Sequence, residues 1–90
     1  MRRPVLEATV REFQAAICPE EEGGYSVVAL HFPGVVSQGE TIEEAKANIA
    51  EAFTAMLEAR RKRGEDMQFS ATPALDLSED CQRVWITVDG

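Results

Sequence analysis

Carboxylates, one histidine and two cysteines are the groups in this 90-residue chain that could do chemistry. Clustered Asp and Glu can hold a pair of divalent ions for hydrolysis of a phosphodiester. The candidates are Glu12, in an alternating stretch near the N-terminus, and Glu43, Glu44 and Glu51 in a helical pattern. Glu12 has Arg11 and Gln14 beside it, and a solvated strand face accounts for it. Helix capping and solubility account for the other three, so a metal-dependent active site is not expected. His31 has no Ser, Cys or Asp close to it in sequence. A strand-end histidine satisfied locally is the favoured reading, with a contact at a partner surface as the functional one. Cys18 and Cys81 form no CxxC pair, and a zinc site would need more ligands at closer spacing. In a reducing compartment they read as small buried or half-buried thiols. No cofactor or metal is expected.

Charge says more about partners than about catalysis. The formal net charge is −7. A general nucleic-acid binder needs a basic surface to displace counterions, and this chain is built the other way. An acidic module suits a basic protein partner, although solubility alone also explains the balance. Glu20, Glu21 and Glu22 form an acidic run that could steer a basic partner or simply be a solvated turn; both readings stand. Tyr25, just after it, fits core packing or an interface. Arg60, Arg61, Lys62 and Arg63 crowd a predicted helix C-terminus, where cations suit the dipole, and a nucleic-acid role is the lesser reading.

These groups need elements to position them. Val10 to Ile17 alternates, with Phe13, Ala15 and Ile17 on one side and Glu12, Gln14 and Ala16 on the other, as in a half-buried strand. Pro19 to Gly24 is a turn, and Tyr25 to Phe32 is a β-branched and aromatic strand. The short loop predicts an antiparallel hairpin. Pro33-Gly34 turns the chain into a third short strand, Val35 to Gln38. A helix follows from Ile42 to about Arg63. Thr41 is its N-cap, with Glu44 three residues on, able to reach back to the Thr41 amide in a capping box. Ile42, Ala45, Ile49, Ala52, Phe53, Met56 and Leu57 make its apolar stripe, and Gly64 is the C′ residue. Residues 65 to 80 have no clear pattern; Phe69, Leu75 and Leu77 are expected to pin them to the core or to a neighbouring subunit. Arg83 to Val88 alternates again, with Val84, Ile86 and Val88 facing inward and Trp85 outward. The order β-β-β-α-β describes a two-layer α+β sandwich, with one long helix on an antiparallel-rich sheet. An outward indole on a terminal strand marks an interface, so Trp85 and that strand's edge predict a homodimer or higher even oligomer.

The ordered set Gly23-Gly24-Tyr25-Ser26-Val27, Phe32-Pro33-Gly34-Val35, Ser37-Gln38-Gly39-Glu40-Thr41, Glu44-Ala45 and Asn48-Ile49 resembles the HicB family of type II antitoxins. The match runs from about Ala15 to Leu57. The resemblance implies a reduced RNase H-like fold and a partner, a small basic HicA-like RNA-cleaving toxin, whose RNA-binding surface this chain would occlude. On that reading the chain is not an enzyme, and Glu20, Glu21, Glu22, Tyr25 and His31 are the expected partner-binding residues. Many family members add a C-terminal DNA-binding domain. None is visible after the fourth strand, so direct DNA binding is in doubt. The alternative is a stand-alone homo-oligomeric binding module of the same fold with no toxin partner. Residues 1–90 are expected to form a single domain, which at this size buries only about 60–65% of its extended surface. No apolar run is long enough to cross a membrane, and Met1-Arg2-Arg3-Pro4 lacks the apolar segment of a signal peptide. A cytoplasmic location is therefore expected.

Overall fold

The computed structural model describes residues 12–65 and 80–88. Strands β1 (Glu12–Pro19), β2 (Tyr25–Ala29) and β3 (Val36–Gly39) precede helix α1 (Ile42–Lys62), and β4 (Gln82–Thr87) follows it. They form one four-stranded sheet in the order β3-β2-β1-β4. Every neighbouring pair is antiparallel. The α+β sandwich with β-β-β-α-β order is therefore the observed architecture. Val10, Arg11 and residues 66–79, including Phe69, Leu75 and Leu77, lie outside the described residues.

Alternation along β1 divides the sheet into two faces. Phe13, Ala15 and Ile17 are buried with Val27, Ala29 and Ile86 under the helix residues Ala45, Ile49 and Phe53. Phe53 stacks on Phe13 with ring centroids 4.3 Å apart and meets Phe32 edge-on at 5.1 Å. Offset stacks and T-shaped contacts at these separations suit the ring quadrupole and add to the burial term. On the other face, Ala16 is also buried, although the alternation assigns it to the solvated side. It is a methyl in an inner strand, flanked by the longer Val28 and Arg83 of the neighbouring strands.

Several boundaries move for identifiable reasons. β2 stops at Ala29 rather than at Phe32. The chain folds back there: Val35 donates to the Phe32 carbonyl at 3.2 Å, and Ala29 donates to the Val35 carbonyl at 2.9 Å. Phe32 thus leaves the ladder and turns inward to join the aromatic cluster. Met56 and Leu57 are half-buried rather than buried. A Cβ placed on Gly34, in the turn after β2, would lie 3.6 Å from the Met56 methyl, so the helix has already reached the rim of the sheet there.

The helix ends follow backbone chemistry. Thr41 is extended, and its hydroxyl accepts from the Glu44 amide at 3.0 Å. Glu44 reaches back one residue further than the capping box requires and accepts from the amide of Glu40, not of Thr41. At the other end, the Gly64 amide donates to Arg61 at 3.0 Å and the Glu65 amide to Arg60 at 2.7 Å. This is the Schellman pattern, and Gly64 adopts the φ of +73° that it requires.

The two cysteines are not free thiols. Cys18 and Cys81 are joined by a disulfide, with their Cα atoms 4.2 Å apart. The β1–β4 register pairs Ile17 with Gln82, so the next pair outward is Cys18 with Cys81. Residue spacing along the chain carries no information about such a pairing, because 63 residues separate the two.

Replacing Phe53 by Ala removes the ring shared by helix and sheet and is expected to cost about 3–5 kcal/mol. Urea denaturation of Phe53→Ala checks this, and a midpoint equal to the wild type's would show that the cluster is not the core. Thr41→Ala is expected to cost about 1 kcal/mol through loss of the cap. An unchanged melting curve would place the start of the helix elsewhere.

Candidate functional site

The β2–β3 register brings the two ends of the helix entry together. Tyr25 is opposite Gly39, and Ser26 is opposite Gln38. The β1–β2 hairpin therefore lies beside the chain that leads into α1. The hairpin closes through two backbone bonds, Gly23 N–H to the Glu20 carbonyl and Glu20 N–H to the Gly24 carbonyl, each 3.0 Å. Glu20, Tyr25, Gln38, Glu40, Glu44 and Asn48 line a depression of about 390 Å³ at this end. Glu21 and Glu22 extend its acidic rim and are exposed. Asn48 ties its floor to the sheet, donating to the Gln38 carbonyl at 2.7 Å.

Gly39 makes the arrangement possible. A Cβ on it would lie 2.5 Å from the Ala45 nitrogen and 2.8 Å from the Glu44 carbonyl carbon. Both are backbone atoms, so nothing could swing aside, and any side chain at this position would push the helix off β3. Close approach of helix and strand is the reason for the glycine.

The partner-binding candidates do not form one cluster. Glu20, Glu21, Glu22 and Tyr25 are together at the acidic end. Tyr25 also packs partly against the core, as its packing reading expects. His31 lies beyond β2, in the turn leading to β3, at the opposite end of that strand from Tyr25. It is half-buried within a turn rather than at a strand end, because β2 finishes two residues before it. Trp85 is opposite Gln14, and Gln14 accepts from the Leu30 amide at 2.9 Å, which places Trp85 at the His31 end of the sheet.

Two acidic residues outside the expected partner-binding set join the site: Glu40 and Glu44. Their sequence positions gave no sign of proximity to Glu20, since only strand pairing brings them there. Among the described residues, no group of three or more His, Cys, Asp or Glu could hold a metal ion. Glu12 pairs with Thr87 at the end of β1 opposite the acidic hairpin, whereas Glu44 lies at the hairpin end. The basic cluster at the helix C-terminus is partly neutralised, with Glu65 3.6 Å from Arg60 and 3.2 Å from Arg63. Both pairs are partly exposed, and such pairs add little to stability.

The face away from the helix is open at its edges. Among the described residues, the large apolar side chains left exposed are Val36 on β3 and Trp85 on β4, at 60% and 62%. Val36 pairs with Val28, and Trp85 with Gln14. All four are on the same face, and the two exposed side chains mark its two outer strands. No helix among the described residues is long and apolar enough to cross a membrane.

Known proteins with this arrangement place it in a family. The N-terminal domain of the antitoxin HicB of Burkholderia pseudomallei superposes with a TM-score of 0.67 at 30% identity, covering 87% of this chain and 98% of that domain. The longer HicB antitoxin of the same organism gives a TM-score of 0.71 at 30% identity over 87% of this chain, which spans 63% of that protein. A chain of the HicA3 and HicB3 toxin–antitoxin complex shares the fold, with a TM-score of 0.65 at 18% identity over 88% of this chain and 99% of that one. The UPF0150 protein ssl0738 of Synechocystis sp. is 41% identical over 49 residues, which are 54% of this chain and 68% of that protein. Residues 13–89 match the family described as HicB_like antitoxin of bacterial toxin-antitoxin system. With that match running from the first core phenylalanine of β1 past the end of β4, the chain belongs to the HicB-like antitoxin family.

Proposed function

We propose that this protein is an antitoxin that binds a small basic HicA-like RNA-cleaving toxin and silences it by covering the toxin's RNA-binding surface. The family match over residues 13–89 carries the reading. The HicA3–HicB3 complex supports a partner of this kind. On this reading no bond is made or broken on this chain. Inhibition is steric occlusion, and charge complementarity sets encounter and orientation. An RNA-binding surface is basic, since it must neutralise phosphates. The acidic end, with Glu20, Glu21, Glu22, Glu40 and Glu44 around Tyr25, is the complement for it. His31, at the opposite end of β2, serves a separate contact on the same partner.

The open face supports a second role in assembly. Among the described residues β4 is an edge strand, and it carries the exposed Trp85. Pairing with a second copy along β4 would satisfy that edge and cover the indole. A homodimer or higher even oligomer in the cytoplasm, formed by a single domain over 1–90, is the assembly proposed. Such self-pairing would also serve a stand-alone binding module, and the toxin experiment separates the two.

Co-expression with a small basic HicA-like protein, sought in the adjacent reading frame, is expected to relieve that protein's toxicity, and the pair is expected to co-purify. Association should slow as salt rises, because exposed charges are screened beyond about 8 Å at physiological ionic strength. Changing Glu20, Glu21 and Glu22 together to Gln should slow association more than it speeds dissociation. Stopped-flow association indifferent to both salt and the triple change would return the acidic hairpin to the role of a solvated turn. Failure to bind any basic neighbour would favour the stand-alone module. For assembly, light scattering at micromolar concentration is expected to give an even oligomer that Trp85→Ala weakens; a wild-type monomer would remove the β4 interface.

A further inference from the structure

The Cys18–Cys81 bond occupies a position where breaking it would act on one strand. Cys18 is near the end of β1, and Cys81 immediately precedes β4. Their Cα separation of 4.2 Å is close to that of a directly opposed, non-hydrogen-bonded antiparallel pair, about 4.5 Å. Both residues are half-buried, and neither belongs to the core cluster. A small thiol can therefore approach them without the core opening.

The strand the bond fastens lies at an end of the sheet. Among the described residues β4 has β1 as its one neighbour, and α1 packs more over β3 and β2 than over it. Its anchoring is uneven along its length. Ile86 and Val88 are buried at the C-terminal end, Val84 is half-buried, and Gln82 and Arg83 are exposed. The disulfide is thus the fastening of the N-terminal end, and the two apolar side chains are the fastening of the other. β1, by contrast, is held by β2 on its far side and by Phe13 under Phe53.

We propose that Cys18 and Cys81 form a reversible thiol–disulfide latch that sets whether the N-terminal half of β4 stays zipped to β1. The reaction partner is a low-molecular-weight thiol. Its thiolate attacks one sulfur, forms a mixed disulfide and releases the other cysteine as a thiolate. A second thiol then attacks the mixed disulfide and frees the first cysteine. Two thiols become one disulfide, and Cys18 and Cys81 together gain two electrons and two protons. Oxidation by the corresponding small disulfide reverses each step. Once reduced, β4 frays from Cys81 inward, as strand ends with few buried contacts do. Trp85, four residues along on the same face, moves with it. If β4 is also the assembly edge proposed above, the latched strand is pre-organised for pairing and the reduced one is not.

The whole chain, equilibrated in mixtures of glutathione and glutathione disulfide, tests this. Alkylation under denaturing conditions followed by mass spectrometry counts the free thiols, and hydrogen exchange follows each strand in the same samples. The expected result is no alkylated cysteine at the oxidising end, two at the reducing end, and a midpoint between them. Amides of Gln82 to Trp85 should exchange about tenfold faster or more in the reduced protein, while Val27 to Ala29 in β2 keep their rates. A Cys18→Ser, Cys81→Ser double variant should show the fast β4 rates in every mixture. A bond that never forms, one that survives the most reducing mixture, equal β4 exchange in the two states, or faster exchange throughout the sheet would each overturn the latch. Light scattering on the same samples is expected to show tighter self-association when oxidised. A monomer in both states would overturn the assembly reading and its coupling to the latch, while the exchange rates judge the latch by themselves.

Discussion

Phe53 is the side chain on which the two layers depend. Its ring stacks on Phe13 of β1 and meets Phe32 of the β2–β3 connection edge-on. Helix, inner strand and turn are thereby fixed to one another through a single buried residue. The contact also explains why β2 is short: Phe32 has more to gain under the helix than in an extended ladder. Ala45 and Ile49 continue the same stripe toward the helix start, where small side chains let α1 settle onto the sheet. In a chain this small, with a core of few large residues, three phenylalanines in mutual contact carry a large share of the apolar burial.

The second constraint is steric. Gly39 lets the first turn of α1 approach β3 closely, and a methyl group there would collide with backbone. The close approach brings Glu40 and Glu44 beside the β1–β2 hairpin, turning scattered glutamates into an acidic end. Packing and charge are therefore linked at one position. The residue that allows the helix to dock also concentrates the field that would draw in a basic partner.

The sheet order gives β1 and β4 different mechanical roles. β1 is an inner strand with a neighbour on each side, while β4 lies at the margin with a covalent fastening at one end and apolar anchors at the other. An edge strand exposes unpaired backbone groups and must be covered, charged or kept short. Here it carries Arg83 and Trp85 on its open face. These features suit a surface that makes contacts and can be adjusted, and they leave the aromatic core out of that adjustment.

What the sequence determined by itself was local. The hydroxyl of Thr41 and the amide it caps are three residues apart, the glycine of the helix stop is adjacent to the last turn, and alternation along β1 and β4 is a property of consecutive residues. The helix, four strands and their order were legible for that reason, as was the outward Trp85. The family resemblance was legible because its residues cluster in turns and at the helix start, where backbone geometry restricts the choice of side chain. Tertiary structure decided the rest. The disulfide, the assembly of Glu20 with Glu40 and Glu44, the inward turn of Phe32 and the separation of His31 from the acidic hairpin all depend on which strand lies beside which. Strand pairing is a contest among long-range contacts, settled by burial of the whole apolar face at once. No window of neighbouring residues contains that information.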